Sequence, residues 1–343
     1  MTRSGTHAVS GTAGRTPNDG RAAISPKPKV SVCVMTYNHA PFIRQALNGV
    51  LIQETGFPFE VCIGEDESSD GTREICLTYA ERHPDTIRLF LRNRVDVIYV
   101  DGKPTGRFNI VETLKACRGT YIALLDGDDY WTSPHKLQRQ VEFLDQNPQV
   151  AVCGHNIRAV DETGADHPEY QWSKPEKTFS TTSDVLQFDL LPACSCVFRA
   201  SSIANLPSWF LEVRMADWPL QILASLHGEI AFLDEVMASY RIHPGGVWSS
   251  ISAEERLNAE LNCLSRALQS VGPRYSADVL RATRRRLAHH AFTEGRVWAA
   301  RWHGFVANTA LEPSRWPTVR GTIRVLREGS RSLKRLFQRH RRT

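Results

Sequence analysis

Short apolar runs alternate with segments of helical apolar spacing through the first half of the chain. The runs predict buried strands, and the spaced segments predict helices. The predicted strands are residues 30–35, 59–63, 87–91 and 121–125, and the predicted helices are residues 40–53, 71–82, 107–117 and 134–146. Such alternation is typical of an α/β architecture with a parallel sheet and right-handed crossovers.

The second half of the chain is less regular. Its predicted strands are residues 150–160 and 230–241, its predicted helices are residues 182–190 and 217–226, and residues 252–310 predict two or three further helices. Residues 1–29 are rich in small and turn-forming residues without apolar periodicity, so we expect disorder there. We therefore divide the chain into a disordered segment 1–29, a main domain 30–250, a helical region 251–314 and a tail 315–343.

The strand predicted at residues 121–125 runs directly into three carboxylates, those of Asp126, Asp128 and Asp129. Like charges so close together repel one another unless a cation lies among them. Carboxylate oxygens at the end of a buried strand are hard ligands, suited to Mg²⁺ or Mn²⁺ that holds phosphates at the same time. The sequence therefore predicts a phosphate-bearing substrate.

Ligands of open α/β sheets bind beyond the carboxyl ends of the strands. Two further polar clusters follow predicted strands and should meet the acidic run at this edge of the sheet. They are Thr36, Tyr37 and Asn38 after the first strand, and Asp66 after the second.

The net charge of +5 is unevenly distributed along the 343 residues. Residues 315–343 contain ten Lys or Arg and one Glu, which leaves 32 basic against 36 acidic residues in the rest of the chain. A mildly acidic body argues against nucleic acid as a partner. The tail has apolar positions at helical spacing beside a basic stripe, which predicts an amphipathic helix. Either this helix lies on an anionic membrane surface, or it packs on the body with a solvated charged face.

The sequence contains no apolar run of the length that a membrane-spanning helix needs, and its N-terminus lacks the apolar core of a secretory signal. We expect a cytoplasmic protein, peripheral at the inner face of the membrane if the tail binds lipid. Most of the eight cysteines lie in apolar runs, so we expect free thiols rather than disulfides.

Five segments form a set of motifs with consistent order and spacing. They are Val30–Asn38, Ile63–Thr72, Asp126–Asp128, Asp217–Leu220 and Tyr240–Gly246. Together they resemble glycosyltransferase family 2, the inverting enzymes with the GT-A fold, over roughly residues 29–250. The resemblance implies a mixed sheet flanked by helices, here with a C-terminal helical extension. It also implies transfer of a sugar from a nucleotide-diphosphate donor to a hydroxyl of a glycan or lipid-linked saccharide, in cell-surface polysaccharide synthesis.

The resemblance assigns roles on the donor side. Departure of a diphosphate builds negative charge that a divalent metal neutralises. We expect Asp128 and His243 to be metal ligands, and one nitrogen among oxygens is a set that Mn²⁺ accepts more readily than Mg²⁺. The resemblance places Asp126 near the donor ribose or a metal-bound water. Thr36, Tyr37, Asn38 and Asp66 are expected to contact the nucleotide, with Asp66 accepting a hydrogen bond from the base.

On the acceptor side, Asp217 is our candidate general base, which would take the proton from the attacking hydroxyl. Its place after Ala216 and ahead of a predicted helix suggests an exposed N-cap. One base without a partnering nucleophile predicts inversion at the anomeric carbon. Simpler interpretations stay open: Asp217 caps a helix, Asp66 forms a turn, and His243 is an ordinary loop histidine.

Two other functions stay open. A sugar-phosphate nucleotidyltransferase would typically carry an early Gly-rich loop with a basic residue, where this chain has Thr36-Tyr37-Asn38. A non-catalytic binding protein with the same fold would not need Asp126, Asp128, Asp217 and His243 all intact. The chain departs from the family pattern at Glu65 and Glu67, and residues 92–106 match no part of it.

Overall fold

The computed structural model describes residues 27–167, 169–170 and 174–294. The first six strands within this part are β1 (Val30–Thr36), β2 (Phe59–Glu65), β3 (Ile87–Leu91), β4 (Ile98–Val100), β5 (Lys103–Thr105) and β6 (Tyr121–Asp126). The remaining strands are β7 (Tyr130–Trp131), β8 (Val150–Val160), β9 (Phe179–Ser180), β10 (Val197–Arg199) and β11 (Glu229–Arg241).

Eight α-helices are described in the same ranges. The first five are α1 (Ile43–Leu51), α2 (Thr72–Arg82), α3 (Arg107–Ala116), α4 (Lys136–Gln146) and α5 (Thr182–Gln187). The other three are α6 (Asp217–Ser225), α7 (Ala253–Val271) and α8 (Ser276–Thr293). None of the described helices is long and apolar enough to cross a membrane.

The sheet has a parallel half and a mixed half. Its strand order is β3-β2-β1-β6-β10-β8-β11-β7, with β9 paired to β11. Strands β3, β2, β1 and β6 are parallel, as their alternation with helices predicts, whereas β10 runs antiparallel to both of its neighbours. The expectation of a parallel sheet therefore holds for the first half alone, and the mixed sheet implied by the family resemblance describes the whole.

Both faces of the sheet are covered, which is why β1 and β6 are buried nearly end to end rather than alternating. One face packs its apolar side chains with α1, α2 and α4, and the other packs with α3, α5 and α6. Helices α7 and α8 extend this second cluster, so the helical region shares a core with the sheet domain. All eight cysteines are free thiols, in agreement with the sequence, and seven of them are buried.

The segment 92–106 that matched no family pattern contains the hairpin β4–β5, which forms a separate two-stranded sheet. Its turn is Asp101-Gly102, and both residues have positive φ angles, of 51° and 75°. Asp-Gly at such a turn is a strong hairpin signal that the sequence interpretation passed over. The short pairing strand β7 was also not predicted, and α4 begins at Lys136 rather than at Pro134.

Candidate active site

The carboxyl ends of the parallel strands bring the predicted donor residues to one edge of the sheet. In the register of β1 and β6, Met35 lies opposite Asp126, and in the register of β1 and β2, Thr36 lies opposite Glu65. The backbone N–H of Asp66 then donates to the carbonyl of Thr36 over 3.1 Å. The clusters that follow β1, β2 and β6 are therefore neighbours, as the topology predicts.

The loop after β1 is tied to the loop after β2 by side chains that bind backbone. Asn38, in the left-handed region at φ 53°, donates its N–H to Ser68 Oγ over 2.9 Å. Its own Oδ1 accepts from the N–H of Ser69 over 3.0 Å. Asp70 accepts from the N–H groups of Ala40 and Thr72, so it supports the turn ahead of α2. These contacts fix the position of Tyr37, whose side chain is exposed.

Asp66 and Tyr37 share one partner, Arg94. A guanidinium nitrogen of Arg94 lies 2.8 Å from Asp66 Oδ2, and the guanidinium group stacks 4.1 Å from the centre of the Tyr37 ring. Burial raises the pKa of Asp66, and the charge of Arg94 opposes that rise. Arg94 comes from the segment that matched no pattern. The site predicted for the nucleobase therefore contains a cation as well as a carboxylate and an aromatic ring.

Asp128 and His243 meet as predicted. Nε2 of His243 lies 3.1 Å from Asp128 Oδ2, and Nε2 of His39 lies 3.7 Å from the same oxygen. Burial would raise the pKa of Asp128, but these two imidazoles outweigh it and the pKa is lowered. Gly127 is required by close approach, because a Cβ there would come within 2.7 Å of Thr36 Oγ1 and 2.8 Å of His39 Nδ1.

His243 lies two residues after the end of β11, and the pairing of this strand determines its position. Strand β11 pairs antiparallel with β7, which directly follows the acidic run, so the residues beyond β11 pass beside Asp128. Arg241 locks the two segments together, since its N–H donates to Asp129 Oδ1 over 2.8 Å and its Nε donates to the Asp128 carbonyl over 2.9 Å. Asp129 is thereby occupied in supporting the turn rather than facing the site.

One buried arginine interacts with both halves of the site. Arg107, the first residue of α3, interacts electrostatically with both Asp126 and Asp217, and its Nη1 donates to the Met215 carbonyl over 2.9 Å. Burial lowers the pKa of Arg107 to about 10, against the pull of those carboxylates. Burial, with repulsion from Asp128 and Asp217, raises the pKa of Asp126 to about 8.

Asp217 has a different local setting from the one that the sequence suggested. Ala216 has helical dihedral angles and holds the N-cap position, so Asp217 is the first residue of α6, and it is half-buried. Its Oδ1 accepts from the N–H of Trp218 over 2.9 Å. Burial raises the pKa of Asp217, while that hydrogen bond and the charge of Arg107 oppose the rise. The prediction of an exposed N-cap was wrong, although the carboxylate does lie at a helix N-terminus.

The residues around Asp128 fit a divalent metal whose shell is completed by substrate. The described residues contain no group of three or more His, Cys, Asp or Glu side chains arranged to hold a metal by themselves. Asp128 and His243 would supply two ligands, and Mg²⁺ and Mn²⁺ are commonly held by one or two side chains together with substrate phosphates and water. Nδ1 of His39 and Oγ1 of Thr36 are buried beside Gly127 and have no hydrogen-bond partner among the described residues, which leaves polar groups available to a ligand.

Two solved structures share this fold. TarS of S. aureus, solved in complex with UDP-GlcNAc, superposes with a TM-score of 0.53 at 20% identity, over 81% of this chain and 90% of that one. The mannosyltransferase PcManGT of Pyrobaculum calidifontis, solved with GDP-Man and Mn²⁺, gives a TM-score of 0.56 at 17% identity, over 84% and 78% of the two chains. The expected GT-A fold is confirmed.

The family follows from the sequence. Residues 31–206 match the model of glycosyl transferase family 2, and the chain belongs to this family. An uncharacterized protein of Mycobacterium tuberculosis, Rv1520, is 36% identical over 228 residues. That match covers 66% of this chain and 62% of Rv1520, so the chain spans less than two thirds of this relative's length.

Four residues of the site were not named from the sequence: His39, Arg94, Arg107 and Arg241. His39 directly follows Thr36-Tyr37-Asn38, so its place in the loop was a usable signal. Arg107 opens a predicted helix, which gives no hint that its side chain turns toward Asp217. Arg94 and Arg241 act through contacts with residues 28 and 113 positions away in sequence.

Proposed function

We propose that the protein is a metal-dependent inverting glycosyltransferase that moves a sugar from a nucleoside diphosphate donor to a hydroxyl of a saccharide acceptor. The observation that carries the proposal is that carboxylates of both proposed sides interact with one buried cation, Arg107, which also donates to the Met215 carbonyl. Asp126 and Asp128, with His243 bound to Asp128, would form the donor side, and Asp217 would form the acceptor side. The membership of glycosyl transferase family 2 supports the same chemistry.

On the donor side, the loops after β1 and β2 would hold the nucleoside. Tyr37 and Arg94 form a stacked pair on which a base can pack, and Asp66 can accept from an imide N–H of that base. Thr36 and Asn38, which flank Tyr37 in the chain, would also contact the nucleotide. The ribose would then lie near Asp126, and the diphosphate near Asp128.

Asp128 and His243 would hold the metal, and Asp126 would bind it through water. A bound Mn²⁺ or Mg²⁺ would act as a Lewis acid that neutralises the charge of the departing diphosphate. The raised pKa of Asp126 supports a cation here, because a buried carboxylate among like charges is stabilised by one. The UDP-GlcNAc and GDP-Man in the two structural neighbours are in keeping with a nucleotide-sugar donor.

On the acceptor side, Asp217 would accept the proton of the attacking hydroxyl. The hydrogen bond from the Trp218 N–H and the positive charge of Arg107 both favour its ionised form, which is the form a general base needs. Direct displacement with a single base inverts the anomeric centre. A sugar-phosphate nucleotidyltransferase would not need this acceptor carboxylate, and the family membership also disfavours that alternative.

Donor binding can be tested with calorimetry. We expect UDP or GDP to bind in Mn²⁺ and to lose most of its affinity when a chelator is added. Asp128→Asn should weaken the Mn²⁺-dependent part of binding at least about tenfold, because it removes a charged ligand. Asp234→Asn is the matched control, since Asp234 is an exposed carboxylate paired with Lys174. Equal affinity in wild type and Asp128→Asn would contradict the metal assignment.

We further propose that the basic tail, residues 315–343, holds the enzyme at the cytoplasmic face of a membrane where a lipid-linked acceptor for cell-surface polysaccharide is presented. The tail lies outside the described residues, so its charge pattern is the support for this proposal. Sedimentation with anionic vesicles should recover the full chain and not a chain ending at Pro313. Equal sedimentation of the two chains would contradict membrane binding by the tail.

A further inference from the structure

The buried side chain of Arg241 joins three other segments of the fold to one another. Its Nε donates to the Asp128 carbonyl over 2.9 Å, and its Nη2 donates to Gln45 Oε1 over 2.8 Å. Its Nη1 donates to the carbonyls of Asp161 and Glu162, each over 3.1 Å. One planar group therefore binds the acidic run, α1 and the turn after β8.

Arg241 fixes the backbone of Asp128. Besides the bond from Nε to the Asp128 carbonyl, the main-chain N–H of Arg241 donates to Asp129 Oδ1 over 2.8 Å. The N–H of Asp129 in turn donates to the Asp126 carbonyl over 3.1 Å. The turn that carries the three carboxylates is thus closed on itself and tied to β11. Because an aspartate side chain is short, the position of this backbone sets where the Asp128 carboxylate lies.

Arg241 reaches His243 through the ring of Phe42. The guanidinium carbon lies 4.6 Å from the centre of the Phe42 ring, and the centres of the Phe42 and His243 rings are 4.7 Å apart. Phe42 is the N-cap residue of α1, and Gln45 of the same helix accepts from Nη2 of Arg241. Arg241 therefore contacts the start of α1 at two points, and Phe42 packs against the imidazole that faces Asp128.

Arg199 makes a similar set of contacts away from the acidic run. Its guanidinium nitrogens donate to four oxygen atoms, those of the Val150, Leu144 and Asn147 carbonyls and of the Tyr121 hydroxyl. In the register of β10 and β6, Arg199 lies opposite Tyr121, the first residue of β6, whereas Asp126 is the last residue of that strand. The two arginines thus have equally many side-chain partners at opposite ends of β6.

We propose that Arg241 is a positioning residue for the metal, which sets the affinity of Asp128 and His243 for Mn²⁺ or Mg²⁺ and hence the metal-dependent part of nucleotide binding. Removal of groups that orient metal ligands typically lowers metal affinity by about 10- to 100-fold. The planar guanidinium geometry carries this role rather than the charge alone, because a lysine ammonium group does not reproduce the fixed fork of donors. The proposal rests on the proposed metal-dependent function and names a residue that tunes it.

The test compares Arg241→Lys with Arg199→Lys, which both keep the charge and lose the guanidinium geometry. Calorimetry measures the affinity of the full chain for UDP or GDP in saturating Mn²⁺ and in chelator, and the ratio of the two is the metal-dependent part. We expect Arg241→Lys to lower this ratio about tenfold at unchanged affinity in chelator, and Arg199→Lys to keep the wild-type ratio. Thermal unfolding gives a temperature at which both variants are folded. A wild-type ratio in Arg241→Lys, or an equal fall in both variants, would overturn the proposal.

Phe42→Leu tests the path to His243, since it keeps the hydrogen bonds of Arg241 and removes the ring that contacts the imidazole. The ratio should fall when Phe42→Leu is made in wild type and should not fall further when it is added to His243→Ala, because the ring acts through the imidazole. An equal loss in both backgrounds would refute the role of Arg241 toward His243. Nucleotide binding by wild type that does not depend on Mn²⁺ would instead contradict the proposed function itself.

Discussion

Replacement of Arg107 provides a test of how the two sides of the site are linked. Arg107 is buried, packs 5.4 Å from the Phe210 ring centre and donates to the Met215 carbonyl, two residues before Asp217. Arg107→Met removes the charge while keeping an unbranched apolar side chain of similar length. Arg107→Lys keeps the charge and loses the guanidinium geometry.

The size of the expected effect on transfer follows from the electrostatic interaction of Arg107 with Asp217. A cation close to a carboxylate lowers its pKa by about one to three units. No ion pair joins Arg107 to Asp217 in the part of the chain that the structure describes, so we expect a modest effect on the rate, about tenfold or about 1.4 kcal/mol. Loss of the charge raises the pKa of Asp217. Because a general base acts in its ionised form, the acidic limb of the pH profile should move to higher pH in Arg107→Met.

The assay is the release of nucleoside diphosphate from donor as a function of pH, measured at saturating Mn²⁺. Arg107→Met should also transfer about tenfold more slowly on the acidic side of the profile, and Arg107→Lys should keep the acidic limb close to that of wild type. Thermal unfolding of each variant separates a folding defect from a catalytic one. A profile of unchanged shape in a well-folded Arg107→Met variant would refute the electrostatic role of Arg107.

Three further predictions concern stability. Arg241→Met removes a side chain that hydrogen-bonds four groups and should destabilise the fold by about 3 kcal/mol, and a change below about 1 kcal/mol in urea unfolding would contradict its bridging role. Burial lowers the pKa of Lys136 to about 7, below its value in the unfolded chain, so the free energy of unfolding of the wild type should rise from pH 7 to pH 9. In Lys136→Met it should stay flat over this range. Parallel curves of unfolding free energy against pH for the two proteins would contradict this. Burial opposes ionisation of Glu60, but hydrogen bonds from Arg118 and Ser31 outweigh it and lower the pKa of Glu60. The stability that Glu60 contributes above pH 4.5 is therefore lost as the pH falls through its pKa in the folded protein. Glu60→Gln should remove that part of the acid dependence of stability. If the urea midpoint of unfolding depends on pH in the same way in Glu60→Gln and wild type between pH 3 and pH 6, the role of Glu60 is contradicted.

Local pattern was sufficient to predict the parallel half of the fold. Strands β3 and β8 were predicted with their observed ends, and α2 and α3 were predicted to within one residue. These elements have strong apolar periodicity and are bounded by turn residues, so neighbouring residues carry the information. The antiparallel insertion of β10 between β6 and β8 depends on contacts between distant segments, which periodicity does not report.

In the candidate site, too, some residue positions could be predicted from local pattern and others could not. The positions of Thr36, Asp66 and Asp126 follow from strand ends in a parallel sheet, so topology alone brings them together. The meeting of Asp128 with His243 depends on β11 pairing with β7, a strand of two residues, and it was inferred from the family resemblance. The cations Arg94 and Arg107 enter through long side chains that reach across the fold, and sequence spacing does not predict such reach.

The cap residue of α6 escaped the sequence, although the predicted helix 217–226 begins where α6 begins. An aspartate after a small residue and before an apolar run suggests an N-cap, yet Ala216 holds the N-cap position and Asp217 is the first residue of the helix. Cap assignments from sequence commonly miss by a residue or two. This affects the pKa of Asp217, because its carboxylate is half-buried and interacts with Arg107 instead of being fully solvated.

We have proposed Asp217 as the base for sugar transfer from a metal-bound donor. A comparison of Asp217→Asn with wild type tests this role through two quantities, the Mn²⁺-dependent affinity for nucleotide and the rate of transfer to acceptor. We expect unchanged nucleotide affinity and a transfer rate reduced at least about a hundredfold, because the amide keeps the shape of the side chain and loses its basicity. Near-normal transfer by Asp217→Asn would contradict it.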